Sequence, residues 1–423
     1  HMKNADDPRS PRAKKHDLAE ILTYLVAGYV TGHTTLRRCL QWCRHHEGWL
    51  KKNGLALKNG IASLSTVSRL LTRMDEELFL FNFIEWICGI VSSKGAHLAV
   101  DGKALRGAAE KCKGKQAPMM LHVLETATGL VLAQKPIPDK DNEITSIPVL
   151  LSYLDIEGST VTTDALNTQT RVMEQIIGQD GHFVMMVKRN HPECYEEIVE
   201  QFNEMKEDRK RMAGDPAIRT RYPKYIGKYD EAAYVERNRD RYEYREYRII
   251  NDASFLSKTK VQWPFLKSVG CAEQIRILVV RDKEGNDITP SKEQFLKEGS
   301  SRQPFPGKGD RENMDIQVVG IVSDLEMSAE EMGRCKRNHW AVENRLHHVL
   351  DDTFREDRSP ARGSRNNLAL IRKYALNVIR LVQIQTSNQS PVSEMMDLLN
   401  DEQDLLGRYI FGPIESLYYK KTL

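Results

Sequence analysis

A chain of 423 residues with 40% hydrophobic and 29% charged residues is long enough for two or three domains with ordinary cores, and is neither a disordered polymer nor a disulfide-stapled miniature. The net charge of +3 excludes a uniformly basic nucleic-acid binder, yet in residues 3–73 and 334–380 Lys and Arg outnumber Asp and Glu at least two to one. Phosphate-facing surfaces would therefore be local. The seven cysteines form no C-x-x-C pair, which argues against a zinc module or disulfide framework and fits a reducing cytoplasm. No apolar run approaches the roughly 18 residues of a membrane span, so no membrane partner is expected.

In chain order, residues 1–92 read as helical. DLAEILTYLVAGYV follows a cap at Asp17, TLRRCLQWCRHHEGWL follows Gly32, and STVSRLLTRM follows a loop with Ser65 as cap. Three helices with Arg and Ser on the third permit a helix-turn-helix that binds DNA, and equally a bundle that packs on its neighbour. From residue 93 to 194 the texture is α/β. HLAVD is a strand, MMLHVLET and LVLAQKPI form a hairpin about Ala127-Thr128-Gly129, NEITSIPVLLSYL is a helix, STVTTD a strand, 168–177 a helix and HFVMMVK a strand. Residues 195–326 read as a β-containing insertion with strands RYEYREYRII, QIRILVV and IQVVGIV and the loop SSRQPFPGKGD. Residues 327–386 are helical again, and 387–423 form a helical tail.

The stretch RNHWAVENRLHHVLDDTFREDRS (337–359), wound as an α-helix, gathers Val342, Leu346, Val349 and Leu350 on one face. That face is bordered by His339, Glu343, His347 and Asp351 at four-residue spacing. Two of the strands end in aspartate, Asp101 and Asp164, at the sheet edge where α/β folds place their sites. Carboxylates gathered there are costly without a partner. Hard divalent cations, which take oxygen ligands, are a suitable one, and a glutamate arriving from a helix would complete the set. The bland alternatives are an Asp-Gly turn at Asp101, a helix cap at Asp164 and a solvated ladder on the helix. A zinc site of His339, Glu343, His347 and Asp351 lacks the usual ligand pairing.

HLAVDGKALRG, TVTTDALNTQ and RNHWAVENRLHHVLDDTFREDRS resemble, in that order, the three catalytic blocks of the DDE transposases of bacterial insertion sequences, in particular the H-repeat-associated (ISAs-type) group. KDNEITSIPVLL, VKRNHP and the front segment DPRSPRAKKHDLAEIL through HEGWL resemble the same group. The resemblance implies a ribonuclease-H-like mixed sheet with flanking helices, interrupted by the β-rich insertion. It also implies a catalytic triad Asp101, Asp164 and Glu343 holding two Mg2+ ions, with Mn2+ able to substitute. The implied reaction is hydrolysis at the ends of an element to free a 3′-hydroxyl, followed by its attack on target DNA. Double-stranded DNA is the implied partner, with a homodimer assembled on it at the nucleoid. A domesticated DNA-binding protein without catalysis, and a nuclease without strand transfer, are the rival readings.

The wider superfamily often carries Tyr-x2-Arg-x3-Glu-x6-Lys about the glutamate; here those slots hold Lys336, His339 and Leu350. Arg337, Arg345, His339 and His347 are the candidates for that phosphate-holding work. Lys103, Arg106, Lys188 and Asn190, which follow the two acidic and neighbouring strands, are further candidate DNA contacts. Trp263 is either a base-stacking aromatic or a core anchor.

Overall fold

The computed structural model describes residues 2, 5–10, 14–105, 118–137, 143–215, 217–238, 241–256, 263, 265–278, 284, 314–359, 361 and 363–417. Arg106, among the candidate DNA contacts, lies outside them. The architecture is mixed α/β, with flanking helices and a helical N-terminal region, as expected from the sequence. The chain divides into two compact units. One comprises His1–Thr160, Gly178–Gly181 and Asn338–Leu423, the other Val161–Ile177 and His182–Arg337.

In the first unit, five helices open the chain: α1 Leu18–Val30, α2 Leu36–His45, α3 Glu47–Lys52, α4 Leu64–Arg73 and α5 Glu76–Cys88. Asp17, Thr35 and Asp75 cap α1, α2 and α5 through their side chains, meeting backbone N–H groups that the first turn leaves unpaired. Ser63, not Ser65, caps α4 by accepting from the Thr66 N–H; the first turn simply begins two residues earlier than the apolar pattern suggests. Ten of the thirteen α1 residues are buried, which makes α1 a core helix. Helix α4 leaves Ser65, Arg69 and Arg73 exposed.

Strands β1 His97–Ala104, β2 Met119–Glu125 and β3 Val131–Ile137 form an antiparallel meander in the order β3-β2-β1, followed by α6, Glu143–Leu151. Gly129 closes the hairpin at φ +75°, a conformation that side chains disfavour. Behind this sheet runs α10, Arg365–Thr386, buried from Asn367 to Val382 and packed on α1, α4, α5 and β3. Its buried polar residues each hold another element. Asn377 both accepts from the Val131 N–H (2.9 Å) and donates to the Val131 carbonyl (2.8 Å), occupying the β3 backbone as a further strand would. Asn367 donates to the carbonyls of Leu71 and Met74 at the end of α4. Helices α11, Val392–Asp401, and α12, Gln403–Phe411, follow.

In the second unit, which begins one residue into β4 Thr160–Thr163, that strand, α7 Thr170–Ile177 and β5 His182–Val187 precede a 23-residue helix, α8, Pro192–Gly214. Strands β6 Tyr229–Asn238, β7 Arg241–Ile250, β8 Ser268–Leu278 and β9 Met314–Ser323 complete a sheet ordered β4-β5-β9-β8-β7-β6. The pairs from β9 to β6 are antiparallel, and β9 is also antiparallel to β5, so the insertion continues the sheet of the preceding strands. Helix α9, Ala329–His339, leads out of this unit, and its Ala329 and Met332 pack on Val184, Tyr247, Ile249 and Ile321.

Two elements here depart from the sequence reading. Helix α8 was not expected within a charged stretch, yet Cys194, Ile198, Phe202 and Met205 recur at spacings of four, four and three and form its buried stripe. Strand β6 is an edge strand with Glu231, Glu236 and Arg237 exposed, so its alternation is faint. Phe202 is fully buried, and Arg248 beneath its ring donates to its carbonyl oxygen at 3.1 Å. Phe202→Ala is expected to cost about 3–5 kcal/mol through the cavity it leaves. Urea unfolding with no change in midpoint would show that α8 does not anchor this unit.

Candidate active site

Asp101 lies on β1 after three buried residues, in register with His122 of β2. Opposite it, the chain that sequence reading wound as an α-helix is π-wound at Val342–His347 and Val349–Thr353. The N–H of His348 reaches the Glu343 carbonyl and that of Phe354 the Val349 carbonyl, five residues back. The cause is visible in the buried side chains. Val342, Leu346, Leu350 and Phe354 repeat strictly every four residues, and Val349 is only partly covered. On an α-helix such a stripe would drift by about 40° per repeat, whereas a widened turn keeps it in line.

The same winding aligns Glu343, His347 and Asp351 along one edge of the helix. That edge lies along β1 so that His347 meets Asp101 and Asp351 meets Lys103, two residues further on. His347 Nδ1 is 3.0 Å from Glu343 Oε2 and 3.8 Å from Asp101 Oδ2. The His347 side chain is buried, Asp101 is partly covered and Glu343 is about half exposed. The hydrogen bond from His347 is the main reason that the Glu343 carboxyl is held below its ordinary range, and Lys103 acts in the same direction. Behind His347, His122 is fully buried, with ring centroids 5.3 Å apart; burial keeps it neutral.

Lys103 does not face outward as a DNA contact. Its side chain is only 4% exposed, and the ammonium is 2.6 Å from Asp351, 3.3 Å from Asp357 and 3.6 Å from Glu356. Burial alone would lower its pKa, but these carboxylates outweigh burial and raise it. Glu356 is in turn 2.8 Å from Lys373 and 3.7 Å from Arg372 on α10. Burial pushes Glu356 up, and Lys373, Arg372 and Lys103 together pull it below its ordinary value.

The other candidates are placed as follows. Asp164 precedes the short 3-10 turn Ala165–Asn167, which its side chain does not cap, and is 2.9 Å from Lys188 in the same unit. Asn190 donates to the Ala165 carbonyl at 2.8 Å, tying the residues after β5 to that turn. Arg337 is 3.3 Å from Glu236 and lies over the Tyr234 ring. His339 is buried. The Arg345 guanidinium is directed at the hairpin, donating to the carbonyls of Thr126, Ala127 and Thr128. Trp263 is a core side chain, edge-on to His191, so neither face of its ring is open to a base. His122, Glu356 and Asp357 were not singled out from sequence; a histidine between apolar neighbours in MMLHVLE was the available signal for the first.

Asp101, Glu343 and His347 offer two carboxylate oxygens and one imidazole nitrogen within 4.8 Å of one another. An octahedral ion with ligand bonds near 2.1 Å separates adjacent donors by about 3 Å, so this spacing fits one divalent cation. The two carboxylate oxygens suit Mg2+ or Mn2+, whereas an imidazole nitrogen is more usual for Zn2+ or Fe2+.

The transposase DDE domain model matches residues 92–378, and the model of the domain associated with it matches residues 1–87. The chain belongs to the DDE transposase family. It is 27% identical over 384 residues to the "H repeat-associated putative transposase YhhI" of Escherichia coli K12, covering 90% of this chain and 89% of that one. It is 28% identical over 380 residues to the "Putative transposase YncI" of Escherichia coli O157:H7, covering 88% and 85%. Among solved structures, the piggyBac transposase synaptic complex with hairpin DNA aligns over 98% of this chain and 77% of its own at a TM-score of 0.40 and 10% identity, a likeness too remote to bear on the fold. No helix among the described residues of this family member is long and apolar enough to cross a membrane.

Lys103→Met would strand Asp351 and Asp357 beside a buried Glu356, and is expected to cost about 3–5 kcal/mol. A thermal melt matching wild type would contradict this. Because the Glu356 carboxyl is lowered, its contribution to stability is present above its ordinary value of 4.5 and is lost as pH falls through the lowered value. Glu356→Gln should therefore be less stable at neutral pH yet lose less on acidification, which melts at stepped pH will resolve.

Proposed function

We propose that this family member is a metal-dependent DNA transposase in which Asp101, Asp164 and Glu343 are the catalytic carboxylates. The observation that carries the reading is the convergence of Asp101 and Glu343, 242 positions apart in the chain, at the spacing of neighbouring metal ligands with His347 between them. Asp164 is assigned by its motif TVTTDALNTQ. When bound, divalent cations, two in this reading, would neutralise the reacting phosphate and activate the attacking oxygen.

The protein's own residues prepare that chemistry. Asp101 and Glu343 supply charge. His347 holds Glu343 in an ionised state and aligned with Asp101. Lys103 keeps β1 and the π-wound helix in register. The substrate of this reading is double-stranded DNA at the element ends and at the target. Hydrolysis frees a 3′-hydroxyl that then joins target DNA, and the working assembly is a homodimer on DNA.

The test uses DNA bearing the short inverted repeats that flank the coding sequence. Wild type with Mg2+ or Mn2+ should nick at the repeat ends and, given a pre-cut 3′-hydroxyl end and a target duplex, should yield joined product. Asp101→Asn, Asp164→Asn and Glu343→Gln should bind DNA and do neither. Mn2+ binding, followed by electron paramagnetic resonance, should weaken in Asp101→Asn and Glu343→Gln. Equal activity or equal inertness of wild type and Asp101→Asn would refute catalysis, and cutting without joining would leave a nuclease.

A further inference from the structure

Asn344 and Arg345, on the π-wound turn, line a cavity of about 370 Å³ whose other walls include Arg380, Gln383, Asn388 and Ser390. Two guanidinium groups share this wall. Arg380, from α10, donates to the Arg345 carbonyl oxygen, and a side chain on Gly129 would collide with both guanidiniums. Neither has a carboxylate at ion-pair distance among the described residues. Glu125, the acid that acts on Arg345 from a distance, is spent on the N–H groups of Ala127 and Thr128. The last carbonyls of α10 are no substitute, because the N–H groups of Ser387 and Asn388 already cap Ile384 and Gln383. Arg380 is 5% exposed, and its Nε–H is buried without an acceptor. Burial first, and Arg345 second, push it down to about 9. Two like charges held together in a largely desolvated wall, with donors to spare, call for an anion.

We propose that this cavity is a phosphate-binding subsite in which Arg380 and Arg345, flanked by Asn344 and Asn388, grip a backbone phosphate of the DNA. The fork of a guanidinium matches two phosphate oxygens, and the amide side chains supply neutral donors. The choice of DNA as source rests on the function proposed above.

Two variants separate this site from a structural role. Asn388→Asp keeps the side-chain acceptor that meets the Ser390 N–H at 2.8 Å and adds a carboxylate to the cavity. Arg380→Gln removes one guanidinium. Titration of wild type with inorganic phosphate should give saturable binding that both variants lose. Binding of a DNA duplex should weaken in both, with the slope of log affinity against log salt reduced by about one. Asn388→Asp should melt no lower than wild type, because its carboxylate meets the arginines. Absence of phosphate binding by wild type, with unchanged salt slopes in both variants, would overturn the subsite. Phosphate binding lost in the variants with unchanged DNA slopes would overturn the DNA occupant and leave a free-anion site. Loss of Asp101-dependent cleavage bears on the catalytic reading alone, since phosphate titration does not use it.

Discussion

The first unit depends on one register: a helix edge laid along a strand so that His347 faces Asp101 and Asp351 faces Lys103. Either contact alone would locate a point; together they fix both the height and the rotation of the helix on β1. Behind them, Lys103, Arg372 and Lys373 balance Asp351, Glu356 and Asp357, three cations against three acids in a largely buried cluster. Such a network adds little net stability over an apolar filling, because desolvation offsets most of the attraction. Its effect is selective. Shifting β1 by one residue would turn Lys103 to the other face and leave the acids uncompensated, so competing registers are penalised far more than the native one is favoured.

Helix α10 extends the same logic to the rest of the unit. A helix buried on nearly every side would be expected to be apolar, but Asn367, Lys373, Asn377 and Arg380 interrupt it. Each meets a different element: the end of α4, the acidic turn at Glu356, the edge strand β3 and the Arg345 carbonyl. Arg372 lies over the ring of Tyr29 on α1. The N-terminal helices, the hairpin and the π-wound segment are thus all referred to one rod. Where that rod carries a polar side chain, the cost of burial is met by a specific partner, and the position of Glu343 follows from those partners.

Much of this was legible from residue patterns alone. The strands β1, β2, β3 and β5 are largely apolar runs bounded by turn residues, β4 is a β-branched one, and the helices around them carry caps and a 3.6-residue stripe. The π-winding was written in the strict four-residue repeat from Val342 to Phe354, but a period of four reads as helical without saying how wide the turn is. Helix α8 was obscured because only a narrow stripe of it is apolar, and β6 because an edge strand needs only one covered face. Motifs brought Asp101, Asp164 and Glu343 forward as a set, whereas the orientation of the cations beside them was not readable. Lys103 and Arg345 look like phosphate contacts by type and position. Their partners, Asp351 and Asp357 for one and the hairpin carbonyls for the other, lie far along the chain, and pairing at that distance leaves no local mark.

The inward turn of those cations changes how DNA affinity must be built on a chain of net charge +3. A basic residue with an acid partner already has its field cancelled at short range, and salt screens what remains. Lys103 is cancelled in this way by buried acids, and Lys188 and Arg337 by surface ones. What distinguishes Arg345 and Arg380 is that their hydrogen bonds go to neutral carbonyls, which orient a guanidinium without neutralising it. Held rigidly and left charged, the pair keeps its field for a ligand, and a phosphate arriving there would meet donors that need little reorganisation. Counting basic residues in a segment therefore overstates its attraction for DNA. Sorting them by the charge of their partners separates the cations that hold the fold from those still free to act on a phosphate.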